Sequence, residues 1–96
     1  MSTYKTRVIE NALSQKGFKK KESHHKKYTL YINGKRTSIY TFVSHGTKEY
    51  GDNLLNKMKN QLHISREELN DLIDCPLKHE DLVRILADKK FLKLRL

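Results

Sequence analysis

Two stretches of alternating residues joined by Asn33-Gly34 constrain this 96-residue chain more than any other feature. In "HKKYTLYI" (25–32), Tyr28, Leu30 and Ile32 alternate with Thr29 and Tyr31. In "TSIYTFVS" (37–44), Ile39, Thr41 and Val43 alternate with Ser38, Tyr40 and Phe42. A period of two is that of a pleated strand. Asn-Gly is the dipeptide that best tolerates the two left-handed residues of a tight hairpin. The pattern therefore predicts an antiparallel hairpin. Its register stays open between two turns. A loop over 33–36 sets Ile32 against Thr37 and His24 opposite His45, whereas the tighter Asn33-Gly34 turn sets His24 opposite Val43. Both registers keep the two histidines on one face, because parity is preserved.

The flanking segments complete an α+β pattern. Residues 3–16 read as a helix, capped by Ser2 or Thr3, with Val8, Ile9, Ala12 and Leu13 as its apolar stripe. Gly17 stops it. "FKKKES" (18–23) is a third strand, anchored by Phe18 alone. Residues 45–52 read as a loop whose Asp52 is placed to cap a helix carrying Leu54, Leu55, Met58 and Leu62. Ser65 and Glu68 match a capping box that opens a third helix with Leu69, Leu72 and Ile73. Pro76 marks the next boundary. Leu82, Val83, Ile85 and Leu86 supply the stripe of a fourth helix ending near Lys90, and residues 91–96 form a basic, apolar tail. The expected fold is a helix, a three-stranded antiparallel sheet and a helix over residues 1–65, with two further helices in residues 66–96 packed on the same domain.

Charge narrows the partners. Lys and Arg number 20 against 11 Asp and Glu, a net charge of +9, so polyanions are attracted. Lys16, Lys19, Lys20, Lys21, Lys26 and Lys27 fall within twelve residues, with Glu22 the only acid among them. Such a cluster either tracks a phosphate backbone or keeps a sheet edge solvated and unpaired. Arg7, Arg36 and Lys48 are phosphate contacts by charge alone. Tyr31, Tyr40 and Phe42 share a face, where they either stack on bases or form a second small core, and the two extra helices pack on that face or beside the closing helix. No stretch approaches a membrane span, and the N-terminus lacks the apolar run of a signal peptide. With a single Cys75, a reducing, cytoplasmic setting is expected. No metal is expected, because the adjacent His24 and His25 point to opposite faces of a strand, and Cys75 and His79 lie far from them.

Beyond these patterns, Gly17-Phe18, Ser23-His24, Val43-Ser44-His45 and Ile64-Ser65 occur in an order that resembles the HicA toxins. These are small mRNA interferases with a double-stranded-RNA-binding-like fold. The likeness covers roughly residues 4–66. It departs at Glu22, where the family usually has Gly, and in residues 66–96, which have no counterpart in the minimal toxin.

The resemblance implies a metal- and cofactor-independent endoribonuclease acting on mRNA, with His24 as its catalytic histidine and His25 as the register alternative. His45 is the same-face companion that would protonate the leaving 5′-oxygen; its plainer role is to end the strand before Gly46. In such chemistry a histidine takes the 2′-hydroxyl proton, the adjacent phosphate is attacked internally, and a 2′,3′-cyclic phosphate results. The RNA-binding residues would be Lys19, Lys20, Lys21, Ser23, His25, Lys26, Lys27 and Arg36. The partner implied, besides RNA, is a HicB-like antitoxin, with the chain itself a monomer or weak dimer. Two other functions compete: a non-catalytic RNA-binding module of the same fold, and a protein-interaction domain using the C-terminal helices.

Overall fold

The computed structural model describes residues 3–74 and 76–92. Among them the order is β1 (Tyr4–Lys5), α1 (Thr6–Gln15), β2 (Phe18–Glu22), β3 (Lys26–Ile32), β4 (Lys35–Val43), β5 (Glu49–Tyr50), α2 (Asp52–Leu62), α3 (Arg66–Asp74) and α4 (His79–Asp88). Strands β2, β3 and β4 form an antiparallel sheet in that spatial order, and β1 pairs with β5 in a second, two-stranded one. The architecture is α+β, with the three strands and four helices that the sequence pattern predicts.

The hairpin combines both expected registers. Asn33 and Gly34 both have positive φ (52° and 79°), and Ile32 pairs with Lys35, so the turn is the tight one. Further along, however, Thr29 pairs with Tyr40 and Lys26 with Val43. Two additional residues of β4 are taken up between these points. Thr37 accounts for the irregularity: its hydroxyl donates to the Leu30 carbonyl (2.7 Å) and accepts from the Ile39 N–H (3.2 Å). A side chain thus substitutes for ladder groups that the bulge pulls out of line. Because the insertion is of two residues, every later side chain keeps its face.

That parity builds the core. Phe18, Tyr28, Leu30, Ile39 and Val43 are buried on one face, against Ile9 and Leu13 of α1 and Leu55, Met58 and Leu62 of α2. The same apolar cluster runs without a break into Leu69, Leu72 and Ile73 of α3 and Leu82 and Leu86 of α4. The C-terminal helices therefore pack beside α1 and α2, on the helical side of the sheet. Their junction is specific. The Lys16 ammonium donates to the Leu77 carbonyl, and the His79 ring meets the Lys16 carbonyl at 2.7 Å. Gly17 is required twice here: its φ is +93°, and a side chain would strike the His79 ring.

Several boundaries differ from expectation. Residues 4–5 are strand and α1 begins at Thr6, with Lys5 at the N-cap and no side-chain cap, so Thr3 does not cap the helix and Ser2 lies outside the described residues. Val8 is exposed and leaves the apolar stripe to Ile9, Ala12 and Leu13. Asp52 is not the cap of α2, which is Gly51. It is the first helical residue and pairs instead with Arg66 at 2.8 Å. The Ser65–Glu68 capping box is present in both directions, with Ser65 N–H to Glu68 at 2.8 Å and Glu68 N–H to the Ser65 hydroxyl at 3.1 Å. Burial pushes the Glu68 carboxyl up, but the Ser65 groups and the Lys89 ammonium outweigh it and hold it below the usual range. Residues 93–96 of the tail, and Cys75, lie outside the described residues. Among those described, no helix is long and apolar enough to cross a membrane.

Candidate nucleic-acid interface

The second face of the sheet is built by the other half of the alternation. Strand pairing aligns Lys19 with Thr29, Lys21 with Lys27, Thr29 with Tyr40, Lys27 with Phe42 and Tyr31 with Arg36. Residues directly opposite in a ladder share a face. Lys19, Lys21, Lys27, Thr29, Tyr31, Arg36, Tyr40 and Phe42 therefore stand together on the side away from the helices. Among the described residues no helix lies across this face, and Tyr40 and Phe42 are 40% and 38% exposed, although Thr29 is buried between its neighbours and α2 borders the Phe42 end, where Gln61 accepts from the Phe42 N–H at 3.3 Å. The two extra helices do not supply a second core here.

Cations and rings are interleaved on this face. The Lys19 ammonium lies 4.5 Å from the centre of the Tyr31 ring, and that of Lys27 4.4 Å from the Tyr40 ring. Each such contact on an exposed surface contributes about 0.5–1 kcal/mol. Tyr40 and Phe42 meet edge to face at 5.4 Å, and His25 extends the row, its ring 6.1 Å from that of Phe42. A groove of about 290 Å³ runs between the strands, lined by Lys19, Lys20, Lys21, Ser23, Lys27, Thr29, Tyr31 and Arg36.

The lysine cluster is consequently divided. Lys19, Lys21 and Lys27 share the open face, where none of them makes an ion pair among the described residues. Lys20 borders the groove but pairs with Glu22 at 3.4 Å. Lys26 turns toward α1 and pairs with Glu10 at 3.2 Å. Glu10 also accepts a 2.6 Å hydrogen bond from the Tyr28 hydroxyl. Burial raises the Glu10 carboxyl, yet the Tyr28 bond and the Lys26 charge prevail and hold it below the carboxylate range. Burial and the same Glu10 contact raise the Tyr28 hydroxyl far above a phenol's usual value. Lys16, the first of the six, is buried at the α1–α4 junction.

Three of the five histidines, His24, His25 and His45, gather at one end of the sheet. His24 is the middle residue of the β2–β3 turn, which Ser23 tightens by directing both its N–H and its hydroxyl at the His25 carbonyl (3.3 Å each). The Ser23 hydroxyl is thereby committed to the turn. The observed Lys26–Val43 register, continued by two residues, sets His24 opposite His45. The His45 ring reaches across, its Nε2 3.3 Å from the Ser23 carbonyl oxygen. All three histidines are exposed. His25 is the one that joins the basic face. Among the described residues no group of three or more His, Cys, Asp and Glu is placed to hold a metal ion.

Charge alone pointed to the lysines, and alternation to the rings, but the pairing of each ring with a particular lysine depends on the register across strands. No family model, curated protein or solved structure matches the chain.

Proposed function

We propose that this chain binds RNA as an unpaired strand on the open face of the sheet, and that it is a HicA-like protein that cuts the strand at the histidine end. One observation carries the binding: cations without ion pairs and aromatic rings interleave on the face of the β2–β3–β4 sheet that no helix crosses among the described residues. Rings stack on bases only when the bases are free of a duplex, and the cations beside them meet the phosphates. On binding, Lys19 and Lys27 exchange the ring for a phosphate and leave Tyr31 and Tyr40 to the bases. A helix-interaction surface fits less well, because α3 and α4 bury their apolar residues in the core.

The cleavage reading is favoured by the meeting of the Ser23–His25 turn with His45. In this reading His24 would take the 2′-hydroxyl proton, and His45, opposite it in the register, would serve the leaving oxygen. A HicB-like antitoxin would cover this end and the basic face together, and a cytoplasmic location would bring the chain to mRNA.

Incubating the protein with a labelled mRNA separates these roles. Fragments ending in a 2′,3′-cyclic phosphate, lost in His24→Ala, support the nuclease. Fragments produced equally by His24→Ala reject His24 as catalyst. Tight, salt-sensitive binding without fragments leaves a binding module, and absence of binding at low salt rejects both readings.

A further inference from the structure

Beyond the histidine end lies a second basic concavity, on the opposite side from the open sheet face. It measures about 450 Å³ and is floored by the start of α1 and the β4–β5 loop. Its cations are Lys5, Arg7, Lys26 and Lys48. Lys26 is held by Glu10, but Lys5, Arg7 and Lys48 make no ion pair among the described residues, although Glu49 faces Lys5 in the β1–β5 ladder. The walls are tied down. The Thr6 N–H donates to the Lys48 carbonyl at 2.8 Å, and the Thr6 hydroxyl to that of Thr47. Glu10 and Glu49 also line the concavity, but its four cations outnumber them, and an anion placed between Arg7 and Lys48 relieves the repulsion of these two.

We infer that this concavity is a phosphate subsite which takes the RNA strand after it has crossed the histidine end. The inference rests on the RNA-binding reading. The concavity borders Ser44 and Gly46, the two neighbours of His45, so a strand leaving the open face past His25 reaches it by crossing His24 and His45. The phosphate held between the two basic regions is then the one presented to the histidines. Arg7 and Lys48 are positioning residues that fix the far side of the scissile bond. Glu10, engaged by Tyr28 and Lys26, keeps its charge to itself and leaves Arg7 and Lys48 to the ligand.

The test uses fluorescein-labelled 2′-O-methyl oligouridylates, which a 2′-hydroxyl mechanism cannot cut, and the Arg7→Gln/Lys48→Gln variant. Both side chains are on exposed residues without ion partners, so the variant should melt with the parent. A twelve-nucleotide strand spans both regions, whereas a four-nucleotide strand is confined to the open face. The variant should bind the longer strand about five- to tenfold more weakly, as expected for losing two exposed charge contacts. Its salt slope should fall by roughly 0.7 for each phosphate released. Binding of the short strand should be unchanged. Equal affinity of parent and variant for the longer strand overturns the subsite. Loss of affinity for both strands alike also overturns it, because the effect is then one of overall charge. If neither strand binds the parent, the RNA reading itself fails. Inorganic phosphate that shifts the Arg7 and Lys48 amide resonances of that same parent would then identify a site for the free anion.

Discussion

The two faces of the three-stranded sheet come from the same strands, yet they are chemically opposite. The face toward the helices holds Phe18, Tyr28, Leu30, Ile39 and Val43, none more than 3% exposed. The other holds lysines, an arginine and aromatic rings open to solvent. A third helical layer over that second face was available in principle, since α3 and α4 carry apolar stripes. They pack beside α1 and α2 instead, and Leu69, Leu72, Leu82 and Leu86 are wholly buried there. Charge divides in the same way. Residues 1–65 hold 13 of the 20 basic residues and 4 of the 11 acidic ones, while residues 66–96 carry 7 of each. The C-terminal helices thus stabilise without adding to the field, and the excess of positive charge is left to the sheet and its loops. The core is built from one side of each strand, and the proposed RNA contacts lie on the other.

That separation is open to direct attack. Its largest expected consequence concerns Leu30 and Tyr40, which lie on opposite faces of one hairpin. Leu30→Ala should cost about 2–5 kcal/mol of folding free energy by leaving a cavity. Tyr40→Ala, losing only an edge contact with Phe42 and a lysine, should cost about 1 kcal/mol or less. Urea denaturation of the two variants measures both, and similar losses would mean that the outer face is part of the core.

A smaller effect is expected on acidification. Glu10 and Glu68 have carboxyls held below their ordinary value near 4.5, Glu10 by Tyr28 and Lys26 and Glu68 by the Ser65 groups and Lys89. A carboxyl depressed in the folded state contributes stability above its unfolded value, and that contribution is lost as pH falls through the folded value. The melting temperature should therefore decline below about pH 4.5, and Glu10→Gln should flatten that decline. Affinity for the four-nucleotide strand at neutral pH should be unaffected by Glu10→Gln, because Glu10 lies on the helical side, beside the second concavity and away from the open face.

How far these features were legible in the sequence depended on the range of the interaction. Asn33-Gly34, Gly17 and the Ser65–Glu68 box are local signals whose conformations are dictated within four residues, and each has its expected place. The β1–β5 ladder was not legible, since two residue pairs have no periodicity to read. The bulge near Thr37 was hidden for another reason: a threonine side chain took over backbone hydrogen bonds, which no alternation pattern records. Lys26 illustrates the limit at the candidate site. Its face follows from alternation, since it is in phase with Tyr28 and Leu30 and pairs with Val43, but its ion partner Glu10, sixteen residues earlier on α1, is not visible in the sequence. The choice made by α3 and α4 was equally out of reach, because an apolar stripe specifies that a helix is buried and not where.

The most direct test of the account is an amide chemical-shift titration of the intact chain with the twelve-nucleotide 2′-O-methyl oligouridylate. The account predicts that shifts concentrate at Lys19, Lys21, Lys27, Tyr31, Tyr40 and Phe42 and continue through His24 and His45, with α3 and α4 silent. Shifts centred on α3 and α4, with the open face of the sheet unmoved, would contradict it.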